Sequence, residues 1–132
     1  MNVNEITKSK GEDVITISPA ESFVSAAHLM RRNNIGFLVV AGGASEILGV
    51  LSERDIVGAV AEQSNSIPDM SVEDVYIRDP ITCSPKDDPL EVLKLMNTQG
   101  FRHMPIVDSG KLCGIISNRD IFKFLGRKSD VV

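Results

Sequence analysis

Tryptophan is absent from this chain and tyrosine occurs once, so its core must be built mainly from aliphatic side chains and five phenylalanines. No apolar stretch approaches the roughly 20 residues that a membrane-crossing helix needs. The polar start carries Glu5 and lacks the basic region and apolar block of an export signal. These features suggest a cytoplasmic protein without a membrane span. There is no block of Lys and Arg either. Eighteen acidic residues against 14 basic ones give a net charge of -4, a balance that argues against broad neutralisation of a nucleic-acid backbone. The two cysteines, Cys83 and Cys113, have no CxxC partner and no histidine at metal spacing. Both stand in apolar runs and read as reduced core thiols.

Catalytic signatures are also missing. The chain has no Gly-x-Ser-x-Gly elbow, no phosphate loop with its lysine and no dinucleotide fingerprint. The only two histidines, His28 and His103, cannot form a metal cluster with the two cysteines, and Ser52-x-x-Asp55 has no local histidine base. The pattern points away from an enzyme. What is present is enough apolar material, 42% of 132 residues, for a real core.

That material is arranged as an internal repeat. Ile15-Thr16-Ile17-Ser18-Pro19 returns as Ile81-Thr82-Cys83-Ser84-Pro85, and Met30 returns as Met96. After a one-residue slip, Gly49-Val50-Leu51-Ser52-Glu53-Arg54-Asp55-Ile56 matches Gly114-Ile115-Ile116-Ser117-Asn118-Arg119-Asp120-Ile121. Each copy reads as β-α-β-β-α. A short strand, Val14 to Ile17, leads into a helix that Ser18 and Glu21 are expected to cap as a capping box with Pro19 at the first helical position. Ala20, Phe23, Val24, Ala27 and Met30 then form a stripe at helical spacing, stopped at Asn33-Asn34. In the second copy Ser84-Pro85, Leu90, Leu93 and Met96 repeat the logic as far as Gly100. His28 falls on the flank away from the stripe, and Phe101 pairs with Ile35 as a core position.

Hairpins follow: Phe37–Ala41 with Ile47–Leu51 around Gly42-Gly43, and Met104–Val107 with Leu112–Ile116 around Asp108-Ser109-Gly110. Each runs into Ser-x-Arg-Asp and a final helix, Asp55–Glu62 or Asp120 to about Gly126. Ser52 and Ser117 are natural N-caps, with Asp55 and Asp120 at the third helical position. The repeats divide the chain into 1–66 and 67–132, with Gln63–Val75 connecting them. A sheet with helices on one side leaves an apolar face that a second copy can bury.

These residues resemble a tandem pair of CBS domains, the modules named after cystathionine beta-synthase. The resemblance spans roughly residues 3 to 126 and is closest in Gly100-Phe101-Arg102-His103-Met104-Pro105-Ile106-Val107-Asp108 followed by Gly114-Ile115-Ile116-Ser117-Asn118-Arg119-Asp120. Copy one departs from it, with Gly36, Phe37 and Val39 where copy two has Arg102, His103 and Pro105. The resemblance implies an α/β (α+β) fold of two pseudo-symmetric repeats packed sheet against sheet, with two clefts between them. It also implies pairing of modules into a homodimer, and an adenosine-containing ligand such as AMP, ADP or ATP that regulates self-assembly or an effector protein. A ligand-independent dimerisation scaffold and a nucleic-acid-binding module are the other readings.

Carried over residue by residue, Thr82 and Thr16 approach the base or ribose. Arg102, His103, Met104 and Pro105 line the cleft in copy two, as Gly36, Phe37 and Leu38 do in copy one. Asp120 and Asp55 accept from ribose hydroxyls, with Ser117 and Ser52 nearby. Arg119 and Arg54, cations at helix starts, suit a phosphate. Each has a plainer alternative: Asp55 and Asp120 as helix caps, the arginines as ion-pair partners, Arg102 and His103 as exposed edge residues, the threonines as strand formers. The richer polar set in copy two predicts unequal clefts, with copy two the better binder.

Overall fold

The structure, a computed structural model, describes residues 1–8, 14–43 and 46–130. Its elements in chain order are α1 (Val3–Lys8), β1 (Thr16–Ile17), α2 (Phe23–Asn33), β2 (Phe37–Ala41), β3 (Ile47–Ser52), α3 (Glu53–Gln63), β4 (Ile77–Arg78), α4 (Pro89–Gln99), β5 (His103–Asp108), β6 (Lys111–Ser117) and α5 (Asn118–Asp130), with two short 3₁₀ turns at Ser64–Asp69 and Val72–Asp74. This is the mixed α/β repeat that the sequence predicts. Both hairpins form where the alternation places them; the first gains Ser52, and the second gains one residue at each end of both strands.

Ile15–Pro80 forms one compact unit. Its sheet runs β1-β2-β3-β4, with β1 parallel to β2 and the other neighbours antiparallel. Leu38, Val40 and Leu51 are wholly buried in a core with Ile17, Ala26 and Met30. The final strand, β4, is not anticipated by the sequence reading. It can lie against β3 because Gly49 has no side chain: a Cβ there would collide with the Ile77 carbonyl and the Tyr76 ring.

The other unit is made of α1 and the chain from Ile81 onward. β5 and β6 pair antiparallel, and Cys83 adds a parallel bridge to Ile106 without extending into a strand. Ser109 and Gly110 both have positive φ (53° and 78°), as the tight two-residue hairpin turn demands. The corresponding tip in the first hairpin, at 44–45, lies outside the described residues. Each hairpin contains the same β-bulge. Leu48 is the extra residue between the Val40–Gly49 and Ala41–Ile47 pairs, and Cys113 is the extra residue between Ile106–Gly114 and Val107–Leu112.

The segments before the two copies are exchanged in space. Val72 and Glu73 donate their N–H groups to Glu21 and Pro19 of the first copy (2.8 and 3.0 Å), while Val3 and Asn4 donate to Asp87 and Pro85 of the second (both 2.9 Å). Val3 and Val72 are each fully buried, in the copy-two and copy-one cores respectively. Met1-Asn2-Val3-Asn4-Glu5-Ile6 and Met70-Ser71-Val72-Glu73-Asp74-Val75 are therefore further equivalent segments. Much of Gln63–Val75, expected only to connect the copies, is packing material: Met70 and Val72 are buried.

Several local expectations are corrected. Ser18-Pro19 and Ser84-Pro85 make turns rather than helix starts. The Ser18 and Ser84 hydroxyls accept from Ala20 and Lys86 N–H (both 3.2 Å), and the Glu21 N–H bonds the Ser18 carbonyl (3.1 Å). The helices begin later, capped by Ser22, which accepts from Ser25 N–H, and by Asp88, with Pro89 as the first helical residue. The later start changes the buried face. Phe23, Ala26 and Met30 are buried in α2, whereas Ala20 and Val24 are exposed and Ala27 only half-buried. In α4 Pro89, Val92 and Met96 are buried and Leu90 is exposed. The helix ends agree with expectation. Asn34 and Gly100 take left-handed conformations, and Ile35 and Phe101 fold back to bond the Met30 and Met96 carbonyls (3.0 and 3.1 Å). The strand expected over Val14–Ile17 is only Thr16–Ile17, and Cys113, placed in the core by its apolar neighbours, is exposed at the bulge.

Candidate functional site

At one end of each hairpin, three segments meet: the residue entering the first strand, the last residue of the second strand, and the first turn of the helix that follows. One backbone bond ties them together. The Glu53 N–H donates to the Gly36 carbonyl in copy one (2.9 Å), and the Asn118 N–H donates to the Arg102 carbonyl in copy two (3.0 Å). Strand register then sets Phe37 opposite Ser52 and His103 opposite Ser117.

The serine and aspartate of Ser-x-Arg-Asp form a reciprocal cap in both copies. In copy one Asp55 Oδ2 accepts from the Ser52 N–H and hydroxyl (both 2.8 Å), and the Asp55 N–H donates to Ser52 Oγ (3.3 Å). In copy two Asp120 Oδ2 accepts from the Ser117 N–H (2.9 Å), and the Asp120 N–H donates to Ser117 Oγ (3.1 Å). Capping is thus an established role for both aspartates. The cap also fixes how each carboxylate is held, through Oδ2 in both copies.

The threonines lie beside the third residue of the first hairpin strand. Thr16 pairs with Val39, and Thr82 precedes Cys83, whose N–H donates to the Pro105 carbonyl (3.0 Å). Both threonines are exposed, as are Arg102, Arg119 and Arg54, while His103, Asp120, Asp55 and Ser52 are half-buried. Leu38 and Met104 are different: their side chains are fully buried in the two cores. Phe37, Pro105 and Ser117 are also buried. The side chains left accessible at these ends are Thr82, Arg102, His103, Arg119 and Asp120 in copy two, with Thr16, Ser52, Arg54 and Asp55 in copy one.

Electrostatically the two ends differ. A helix N-terminus already favours an anion. Copy two adds Arg102 and Arg119 against Asp120, whereas copy one has Arg54 against Glu53 and Asp55. Glu53 and Asn118, the first helical residues, stand at the variable position of Ser-x-Arg-Asp, which the motif alone leaves without a role. Their place directly after the cap was the available signal. Cys83 stands next to Thr82, but burial pushes its thiol up to about 12, so it is no nucleophile. Among the described residues no group of His, Cys, Asp or Glu is placed to hold a metal ion, and no helix is long and apolar enough to cross a membrane.

Comparison with known proteins agrees with this repeated geometry. The family model for the CBS domain matches twice, over residues 3–62 and 72–127, each match beginning at the exchanged valine. An uncharacterised protein of Methanopyrus kandleri is 36% identical over 124 residues, 93% of this chain and 62% of its own length, so the chain spans under two thirds of that relative. The solved CBS-domain-containing protein from Agrobacterium tumefaciens is 32% identical with a TM-score of 0.90, covering 95% of this chain and 99% of that one. A solved CBS domain pair in complex with 5-methylthioadenosine and S-adenosyl-L-methionine shares the fold, at a TM-score of 0.84 and 23% identity, covering 97% of this chain and 98% of that one.

Proposed function

The chain belongs to the CBS domain family, and we propose that it is a non-catalytic regulatory module that binds an adenosine-containing ligand and passes the binding event to self-assembly or to an effector protein. The observation that carries this reading is the locked hairpin end of copy two. There the Arg102 carbonyl accepts from the first helical N–H, Asp120 is held in the cap with exposed Arg119 before it in the chain, and Thr82 precedes Cys83, which bonds the strand at Pro105. Asp120 supplies an acceptor suited to ribose hydroxyls. The two arginines and the helix N-terminus supply the donors and field that suit a phosphate. In this reading Thr82 and the backbone beside Pro105 meet the base or its ribose. A structure of the same fold holding adenosyl compounds lends the ligand class support.

A homodimer in the cytoplasm is the setting we propose for such a switch. The energetic demand is small, since a ligand that discriminates two states tenfold shifts their balance by about 1.4 kcal/mol. Calorimetry on nucleotide-stripped protein with AMP, ADP, ATP, NAD and S-adenosylmethionine tests the proposal. At a hundred times its Kd, a true ligand adds about 2.7 kcal/mol, a rise in Tm on the order of 10 °C for a chain of this size. Arg102→Ala is expected to weaken the phosphate-bearing ligands more than adenosine itself. If no member of the panel gives saturable, stabilising binding, the module is a ligand-independent scaffold.

A further inference from the structure

The two hairpin ends share one backbone design but carry opposite charge at the position where chain and helix meet. Gly36 and Arg102 are equivalent, and so are Glu53 and Asn118, each pair joined by the same carbonyl-to-N–H bond. In copy one the space that a side chain at position 36 would take is filled by the Glu53 carboxylate. A Cβ built on Gly36 would stand 2.8 Å from Glu53 Cδ and 2.9 and 3.0 Å from its two oxygens. The carboxylate therefore leans over the entry to β2, on the same end as Asp55. In copy two that entry carries the Arg102 side chain, and the helix begins with uncharged Asn118.

We propose that Glu53 is a specificity-determining residue: it turns the copy-one end against phosphate and toward adenosyl groups that are uncharged or cationic, leaving phosphate-bearing nucleotides to copy two. The inference rests on the adenosyl-binding reading and deepens it, by making the copies differ in ligand class and not only in strength. A fixed unit charge about 5 Å from a phosphate, screened as at a protein surface, changes affinity on the order of tenfold. Glu53 is exposed and takes no part in the Ser52–Asp55 cap, so its amide variant leaves the local fold intact.

The test is a pair of amide-resolved NMR titrations, one with AMP and one with adenosine, on the full chain and on Glu53→Gln. The Gly36 and Glu53 amides report copy one, and those of His103 and Asn118 report copy two. In the unaltered protein AMP is expected to shift the copy-two amides at concentrations about tenfold lower than the copy-one amides, while adenosine binds copy one at least as tightly as AMP does. In Glu53→Gln the copy-one affinity for AMP should rise roughly tenfold, with adenosine changed less than twofold and copy two unmoved. An unchanged copy-one affinity for AMP overturns the proposal. So does an equal gain for adenosine and AMP, which would mean released space rather than removed charge. If neither ligand shifts any amide in either copy, the adenosyl-binding reading itself fails and this one with it, a pattern distinct from the other two.

Discussion

Val3→Ala should weaken the second copy and Val72→Ala the first, although in the chain each residue precedes the other copy. Val3 is fully buried among Met96, Met104, Ile106 and Ile116, and Val72 is fully buried among Met30, Leu38 and Leu51. Each truncation removes two carbons, about 1.6 kcal/mol at roughly 0.8 kcal/mol per buried methylene, and leaves a cavity that raises the cost toward about 2–3 kcal/mol. Alanine's better helix propensity returns a few tenths of a kcal/mol in α1. A net loss near 2 kcal/mol lowers amide protection more than tenfold in the unit that opens. Native-state hydrogen exchange reads this directly. Val3→Ala should lower protection of Met104, Ile106 and Ile116 while Leu38, Val40 and Leu51 hold theirs, and Val72→Ala should do the reverse. Equal losses in both units from both variants, or losses that follow chain order, refute the exchange of the two segments.

Two further outcomes follow from single positions. Gly49→Ala places a methyl group against the Ile77 carbonyl and the Tyr76 ring, so β4 must shift. Overpacking of this kind costs about 1–3 kcal/mol, measurable by urea denaturation, and a change under 0.5 kcal/mol contradicts the close approach. In thiol labelling at pH 8, Cys113 at its exposed bulge should react promptly and buried Cys83 only on unfolding. The folded Cys83 thiol titrates near 12 against an ordinary 9.0. Its neutral form therefore contributes stability that is fully present below pH 9 and is lost as pH rises from there toward 12. Equal labelling rates for the two cysteines at pH 8 would rule out this placement.

Much of the candidate site was legible before any fold was known because its chemistry is local. Ser52-x-x-Asp55 and Ser117-x-x-Asp120 specify a cap within one helical turn, and that cap forms in both copies. Ser18-Pro19-Ala20-Glu21 forms a turn where its pattern predicts a capping box, because serine before proline can open a turn as readily as a helix, and the two differ only in where the next backbone bonds go. Ser22 and Asp88 offered the same capping chemistry a few residues later.

The repeat, both hairpins, the helix stops at Asn34 and Gly100 and the serine–aspartate caps follow from the amino-acid sequence alone, since each is satisfied by neighbours within a few residues or by alternation along a strand. Tertiary structure decided three other things. It sent Val3 to the second copy and Val72 to the first, because a short apolar segment carries no label for the core that will bury it. It raised β4 beside Gly49, where only the absence of a side chain admits a fourth strand. And it brought the Glu53 carboxylate over Gly36, a closeness that the 16 intervening residues conceal and that follows from the strand return placing a helix start beside a strand entry.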